Sequence, residues 1–338
     1  MNSDQTPRSD PSGGPPLTAE TSVGQSLVAG PPRPLPAHAA ILPDLVAWAG
    51  QIAGLTQSGH TGDTLAAILI HSRHLQTIAR AQHDAIAPIL SGQGDDIVAD
   101  AITALQVAAE EMDDDDSMMA AIRRLRQRSA LAVALADLAD THPVTIQMRW
   151  LSDAADAAIA CTVCYLLRQA TIRGQINKTE GSANRAYGWT ILALGKLGAR
   201  ELNYSSDVDL IILHDPDSRT LTRPETSQAF FVDMTRSLVR LLSTATRDGI
   251  GWRVDLRLRP DPGATAVSIQ REAAIGYYES IARTWERAAF IRARPVAGDL
   301  EMGTAFLNDL QPFIWRKTLD YTVIDDMATM LSRPPSTR

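Results

Sequence analysis

The rhythm of apolar and polar positions divides this chain into two parts. From about Ile41 to Arg173 apolar residues recur at helical spacing, as in Leu125, Leu131, Leu135 and Leu138. That spacing puts them on one side of an α-helix. Turn signals near Gly92 and Pro143 cut the pattern into several helices. A helical domain is predicted over 38–180.

The texture changes at about Tyr187. Trp189-Thr-Ile-Leu-Ala-Leu194 is a short unbroken apolar run, as expected of a buried strand, and it ends in Gly195-Lys196-Leu197-Gly198. A polar turn-and-helix stretch leads to a second predicted strand, Val208 to Leu213. Phe231, Met234, Leu238 and Leu242 mark the apolar face of a helix expected to stop at Gly249. Beyond it, Trp252, Val254, Leu256 and Leu258 alternate with Arg253, Asp255, Arg257 and Arg259. A strict period of two predicts a half-buried strand with one charged face. Residues 187–265 therefore read as a small mixed-sheet core. A helical extension is predicted over 266–330, with helices at 272–294 and 309–330. The fold class is α+β. At the ends, residues 1–37 are Pro/Gly-rich, with runs such as Gly30-Pro-Pro-Arg-Pro-Leu-Pro36, and read as a disordered tail. Residues 331–338 read as a frayed end.

Composition narrows the function classes. The chain has 338 residues, 45 % hydrophobic and 21 % charged, which suits a soluble globular protein. It lacks a run of eighteen apolar residues and a basic-then-apolar leader, so no membrane span is expected and the cytoplasm is the default compartment. The net charge of −7 argues against nucleic acid as a partner, since counterion release on a polyanion needs a basic face. A free nucleotide, or one attached to a protein, fits better. Cys161 and Cys164 have C-x-x-C spacing but no second ligand pair, and are read as packing residues of a helix. The acidic run Asp113 to Asp116 precedes Arg123, Arg124, Arg126 and Arg128, and is read as a cap or loop before a basic helix. It lacks the alternating ligands and glycine of a calcium loop.

The candidate chemistry lies in the second part. Asp207 and Asp209 flank Val208 at a strand start, and residues two apart on a strand share a face. Two carboxylates held together repel unless a cation lies between them. Mg²⁺ suits hard oxygen ligands and is commonly shared with substrate phosphates. Asp255 is a third acid, and it joins the other two if its strand lies beside Val208–Leu213. Metal ions there could stabilise both the attacking and the leaving oxygen of phosphoryl transfer. Gly195 and Gly198 would let phosphate approach backbone N–H groups. Lys196 reads equally well as a surface charge or a phosphate ligand. Arg257 and Arg259 read as structural partners of the acids or as substrate ligands, and His214 is given no catalytic role. The combination is the signature of a nucleotidyltransferase with a polymerase-beta-like core.

The stretch Leu194-Gly-Lys-Leu-Gly-Ala-Arg-Glu-Leu-Asn-Tyr-Ser-Ser-Asp-Val-Asp-Leu-Ile211 resembles the bifunctional glutamine synthetase adenylyltransferase/adenylyl-removing enzyme family. The resemblance continues through Val254-Asp-Leu-Arg-Leu-Arg-Pro260, Thr284-Trp-Glu-Arg287, Ile291-Arg-Ala-Arg294 and Pro312-Phe-Ile-Trp-Arg-Lys-Thr-Leu-Asp-Tyr-Thr-Val-Ile324. It covers roughly 120 to 330, the preceding helices matching only loosely. That family has two catalytic halves, and this copy resembles the first. The first half uses phosphate to strip AMP from a tyrosine of glutamine synthetase, releasing ADP; the second attaches AMP from ATP. The resemblance implies metal binding by Asp207, Asp209 and Asp255, and nucleotide-phosphate contacts from Ser206, Gly195 and Gly198; Lys196 and Arg257 stand beside them as candidate nucleotide ligands. It also implies PII protein and glutamine as regulators of the full enzyme. Family members continue with further helices and the second half, so a chain stopping at Arg338 is expected to be a fragment or a truncated product.

Overall fold

The computed structural model describes residues 43–177, 188–218, 220–282 and 284–315. The helical part comprises α1 (Pro43–Ala49), α2 (Gly62–Leu69), α3 (Arg73–Ala81), α4 (Ile86–Leu90), α5 (Gly94–Glu111), α6 (Asp115–Leu138) and α7 (Val144–Ile172). The acidic run caps α6, with the Asp114 carboxylate accepting from the Ser117 N–H at 2.8 Å. Pro143, held extended, starts α7. Leu125, Leu131 and Leu135 are buried, whereas Leu138 at the end of α6 is 46 % exposed.

α7 is, by length and composition, apolar enough to cross a membrane, with a mean hydropathy of 1.3 over its best window. That window is 72 % buried inside the fold, against α5, α6 and the sheet domain. Most of its apolar surface is thus covered by protein, Val144 and Ile172 at its two ends being exposed. Cys161 and Cys164 both lie along it, Cys161 buried, and burial pushes the Cys161 thiol up to about 12.

The second part begins with β1 (Trp189–Ala193), the short turn α8 (Gly195–Gly198) and β2 (Val208–His214). It continues through α9 (Ser227–Ser243), β3 (Val254–Asp255), β4 (Ile269–Gln270), α10 (Arg271–Ser280), α11 (Thr284–Phe290), β5 (Arg294–Gly298), α12 (Leu300–Asp309) and α13 (Gln311–Ile314). The strand order is β3-β2-β1-β5, with β4 also paired to β2. β1 runs antiparallel to β2 and β5, while β3 and β4 pair parallel to β2, so the sheet is mixed.

Both faces of the sheet are covered, which explains the unbroken apolar runs. Ile191, Ala193, Val208, Leu210 and Ile212 pack into the core that includes α7 and α9. Leu192, Leu194, Ile211 and Leu213 pack on Tyr278, Phe290, Phe306 and Phe313. One apolar core therefore passes from the helical part into the sheet.

Several expectations need correcting. The strand expected over 252–259 is only Val254–Asp255. After it the chain folds back, with the Arg257 N–H on the Asp255 carboxylate at 2.8 Å and Arg259 on the carbonyls of Leu256 and Pro262. Pro260 and Pro262 bring no N–H to a ladder. Leu256 packs against the first core and Leu258 against the second, so the two do not share the single apolar face that the alternation predicts. α9 ends at Ser243, and the turn expected to stop it is a tight loop in which Thr246 and Gly249 exchange backbone hydrogen bonds. The extension expected to be helical also supplies β4 and β5. Pro295 is accommodated in β5 because that strand lies at the sheet edge. The tail at 1–37, the end at 331–338 and most of the helix expected at 309–330 lie outside the described residues.

Arg123 of α6 joins the two parts. It is fully buried and donates to the carbonyls of Leu241 at 2.6 Å, Met119 at 3.1 Å, Gly249 at 3.4 Å, and Thr244. Arg123→Met leaves those carbonyls without their donor and is expected to cost about 3 kcal/mol or more in chemical denaturation. His214, at the far end of β2, is buried against Phe231 with Nδ1 2.9 Å from Ser268 Oγ. Burial holds its pKa down, to about 4 from 6.5. The unfolded chain then binds the extra proton between those values, so stability falls as pH drops from 6.5 to 4. Denaturation midpoints should show a smaller loss over that window in His214→Gln than in the parent.

Candidate active site

β2 and β3 pair in parallel register, with Val208 opposite Val254 and Asp209 opposite Asp255. Val208 and Leu210 point into the core, which leaves Asp209 on the other face at the strand's start. Asp207 sits one residue before β2. The structure thus brings the three predicted acids to one end of the sheet, at the edge made by β3.

Their electrostatics follow from that meeting. Burial first, then the charges of Asp255 and Asp207, push the Asp209 carboxyl up to about 6. Arg257 and Lys196 oppose the rise. Asp207 is bridged by Arg253, whose Nη2 also donates to the Ser205 carbonyl at 2.6 Å. Asp255, only 13 % exposed at its side chain, receives the Arg257 Nε at 2.8 Å. Among the described residues no three His, Cys, Asp or Glu side chains stand together as a ready metal cage. Asp207 and Asp255 are each paired with an arginine. The donor set remains all oxygen, and Asp209 at its centre stands among like charges, which is the chemistry a hard cation answers.

The glycines part company. Gly195 has φ +55°, and a Cβ there would stand 2.6 Å from Asp209 Oδ2, so only glycine lets the turn after β1 lie against the carboxylate. It is exposed, as is Lys196 beside it. Gly198, expected to line phosphates, is buried, and its N–H is used by the Leu194 carbonyl at 2.9 Å. A Cβ on it would lie 2.3 Å from the Arg292 carbonyl oxygen, so this glycine serves packing of the turn on the chain before β5. Ser206 lies beside Asp207, its hydroxyl donated to Asn203. Arg259 is spent within its own loop, and His214 lies at the opposite end of β2.

Three positioning groups escaped the reading of the sequence. Arg126, three residues after Arg123 on the same face of α6, donates to the Tyr204 carbonyl and stacks on Trp252 with 5.4 Å to the ring centroid. It holds the segments that enter β2 and β3. Arg253 was noted on the charged face but not as the partner of Asp207. Arg294 of β5 donates to the Leu197 carbonyl at 2.9 Å and the Gly198 carbonyl at 3.2 Å, and pairs with Asp156 of α7 at 2.8 Å. It pins α8 from beneath. The signal for the α6 pair was the i, i+3 spacing of two arginines beside buried Ile122 and Leu125.

Comparison with known proteins identifies the family. A family model described as glutamate-ammonia ligase adenylyltransferase matches residues 63–309. The match runs from α2 to the end of α12, so the likeness reaches further upstream than residue 120. The bifunctional glutamine synthetase adenylyltransferase/adenylyl-removing enzyme of Xanthobacter autotrophicus is 47 % identical over 215 residues, covering 63 % of this chain and 22 % of that protein. The protein of the same name from Mesorhizobium japonicum is 42 % identical over 276 residues, covering 81 % and 28 %. That from a Bradyrhizobium species is 41 % identical over 261 residues, covering 77 % and 25 %. The chain spans about a quarter of the length of these curated relatives.

The contact at Gly195 provides a direct probe of the site. Gly195→Ala should displace the Asp209 carboxylate and lower nucleotidyl transfer about 100-fold, since misplacement of about an ångström costs that much. Thermal unfolding, followed in parallel, should fall by a few degrees, the strain of an alanine at φ +55°.

Proposed function

This chain belongs to the glutamate-ammonia ligase adenylyltransferase family, and from that membership we propose that it is a Mg²⁺-dependent nucleotidyltransferase acting on glutamine synthetase. The reaction is phosphorolysis of an adenylyl-tyrosine. A phosphate oxygen bonds to the adenylyl phosphorus, the phosphorus–oxygen bond to tyrosine breaks, the tyrosine oxygen regains a proton, and ADP leaves. The observation that carries this reading is the convergence of Asp207, Asp209 and Asp255 at the paired ends of β2 and β3. The direction rests on the resemblance to the first catalytic half of the family.

Asp207, Asp209 and Asp255 would hold the cation, which when bound supplies positive charge beside the reacting phosphoryl oxygens. Arg253 and Arg257, with side chains 56 % and 65 % exposed, can leave the carboxylates for the phosphates of the substrate. Lys196 adds a point charge from the opposite side of Asp209. The open backbone at Gly195 gives phosphate room, and Ser206 offers a hydroxyl at the edge of the site. The chain itself therefore binds, orients and neutralises, which is most of what phosphoryl transfer asks of a protein. The same reading places the protein in the cytoplasm, with ATP or ADP and phosphate as small partners. PII protein and glutamine would act as regulators of the longer enzymes.

The test uses adenylylated glutamine synthetase, phosphate and Mg²⁺, with ADP release followed beside Asp207→Asn/Asp209→Asn. ADP from the parent, reduced at least about 1000-fold in the variant and abolished by a chelator, is expected. Pyrophosphate made from ATP and glutamine synthetase instead would reverse the direction. No nucleotide product from the folded chain would favour a silent docking module.

A further inference from the structure

A second concavity adjoins the carboxylates. A cleft of about 660 Å³ opens between α3 and α6 on one side and the loops 204–206 and 247–253 on the other. Those loops run directly into β2 and β3, so Ser206 and Arg253 belong at once to the cleft wall and to the catalytic end of the sheet. The cleft wall thus reaches Ser206 and Arg253, the neighbour and the ion-pair partner of Asp207.

Its lining is mixed in a particular way. Ile78 and Trp252 are buried apolar wall, and Ile250 stands 42 % exposed at the mouth. Three arginines, Arg126, Arg247 and Arg253, and one acid, Asp248, line it in a chain whose net charge is −7; Arg253 pairs with Asp207, and the exposed Arg247 stands 3.7 Å from Asp248. Arg126 has no carboxylate partner among the described residues; it is held by the Tyr204 carbonyl and the rings of Tyr204 and Trp252. A basic, partly aromatic concavity on an acidic protein attracts an acidic ligand that also brings apolar surface. Inorganic phosphate would occupy a small part of such a volume and would gain nothing from Ile78 or Ile250. The Gly195–Lys196 turn, on the β1 side of Asp209, already provides a place for nucleotide phosphates.

On the reading that the substrate is an adenylylated protein, the reacting tyrosine is tethered to its chain. It reaches the carboxylates only if the flanking residues find a groove that starts there. We propose that this cleft receives the segment of the protein substrate flanking the modified tyrosine, bound as an extended stretch with acidic side chains. Arg126 and Arg247 meet its carboxylates, and the wall of Ile78, Ile250 and Trp252 covers its apolar groups.

The test adds negative charge to both walls away from the carboxylates, in Thr77→Glu/Arg247→Glu of the whole chain, both positions being exposed. Circular dichroism and denaturation confirm the fold of the variant. The KM for adenylylated glutamine synthetase should rise about ten-fold, while kcat at saturation and the KM for phosphate stay within two-fold. A rise in the phosphate KM instead would make the cleft an anion site and overturn the proposal, as would no change in either constant. If the parent makes no ADP, the reaction reading fails but the cleft is still tested by titrating adenylylated glutamine synthetase onto an immobilised chain. Binding weakened ten-fold in the variant then supports it. Equal binding, or none by the parent, sinks it.

Discussion

Burying a guanidinium without a carboxylate beside it costs several kcal/mol unless its N–H groups find acceptors, and Arg123 finds them on backbone carbonyls. Three of those carbonyls belong to the end of α9 and the loop that leads to β3. The arginine answers the unpaired carbonyls that every helix leaves at its C-terminus, and in doing so fixes the path of the chain into Asp255. Arg126, one helical turn on, does the same for the chain entering Asp207 through the Tyr204 carbonyl. The register of two acids across β2 and β3 thus depends on one face of a helix in the other half of the molecule.

That dependence gives the helical part a role beyond bulk. The sheet needs cover on both faces, and α7 provides it on one while Asp156 of the same helix steadies Arg294 and the turn that carries Gly195. Burial pushes the Asp156 carboxyl up, and the neighbouring arginine pulls it back down. The pair is a link between helix and sheet of the kind that is costly to break on one side only.

The carboxylates themselves form a cluster in tension. Asp207 and Asp255 each hold an arginine, while Asp209, packed under Gly195, holds none and has its pKa raised. Arginine and cation would compete for the same oxygens. A site in which exposed arginines neutralise the acids until the substrate arrives keeps like charges together without unfolding the strand ends that carry them. On the proposed function, the same arginines are at hand for phosphate.

Much of this was legible in order along the chain. The two apolar runs, the helical face at Phe231 to Leu242, the cap at Asp114 and the acids at Asp207, Asp209 and Asp255 all follow from local spacing, because side-chain direction repeats every two or about 3.6 residues. The Leu194–Ile211 motif carried the family as well. What spacing could not give were the partners: Arg123 with carbonyls more than a hundred residues away, Arg253 with Asp207, Arg294 under α8, and β5 from a stretch that reads as helical. Nor could it show that the alternating run 252–259 turns after Asp255, or that Gly198 answers to the Arg292 carbonyl. By itself the sequence determined which residues bear charge and which faces are apolar. Tertiary structure alone decided which charges meet, because those meetings join segments whose distance along the chain leaves no period to read.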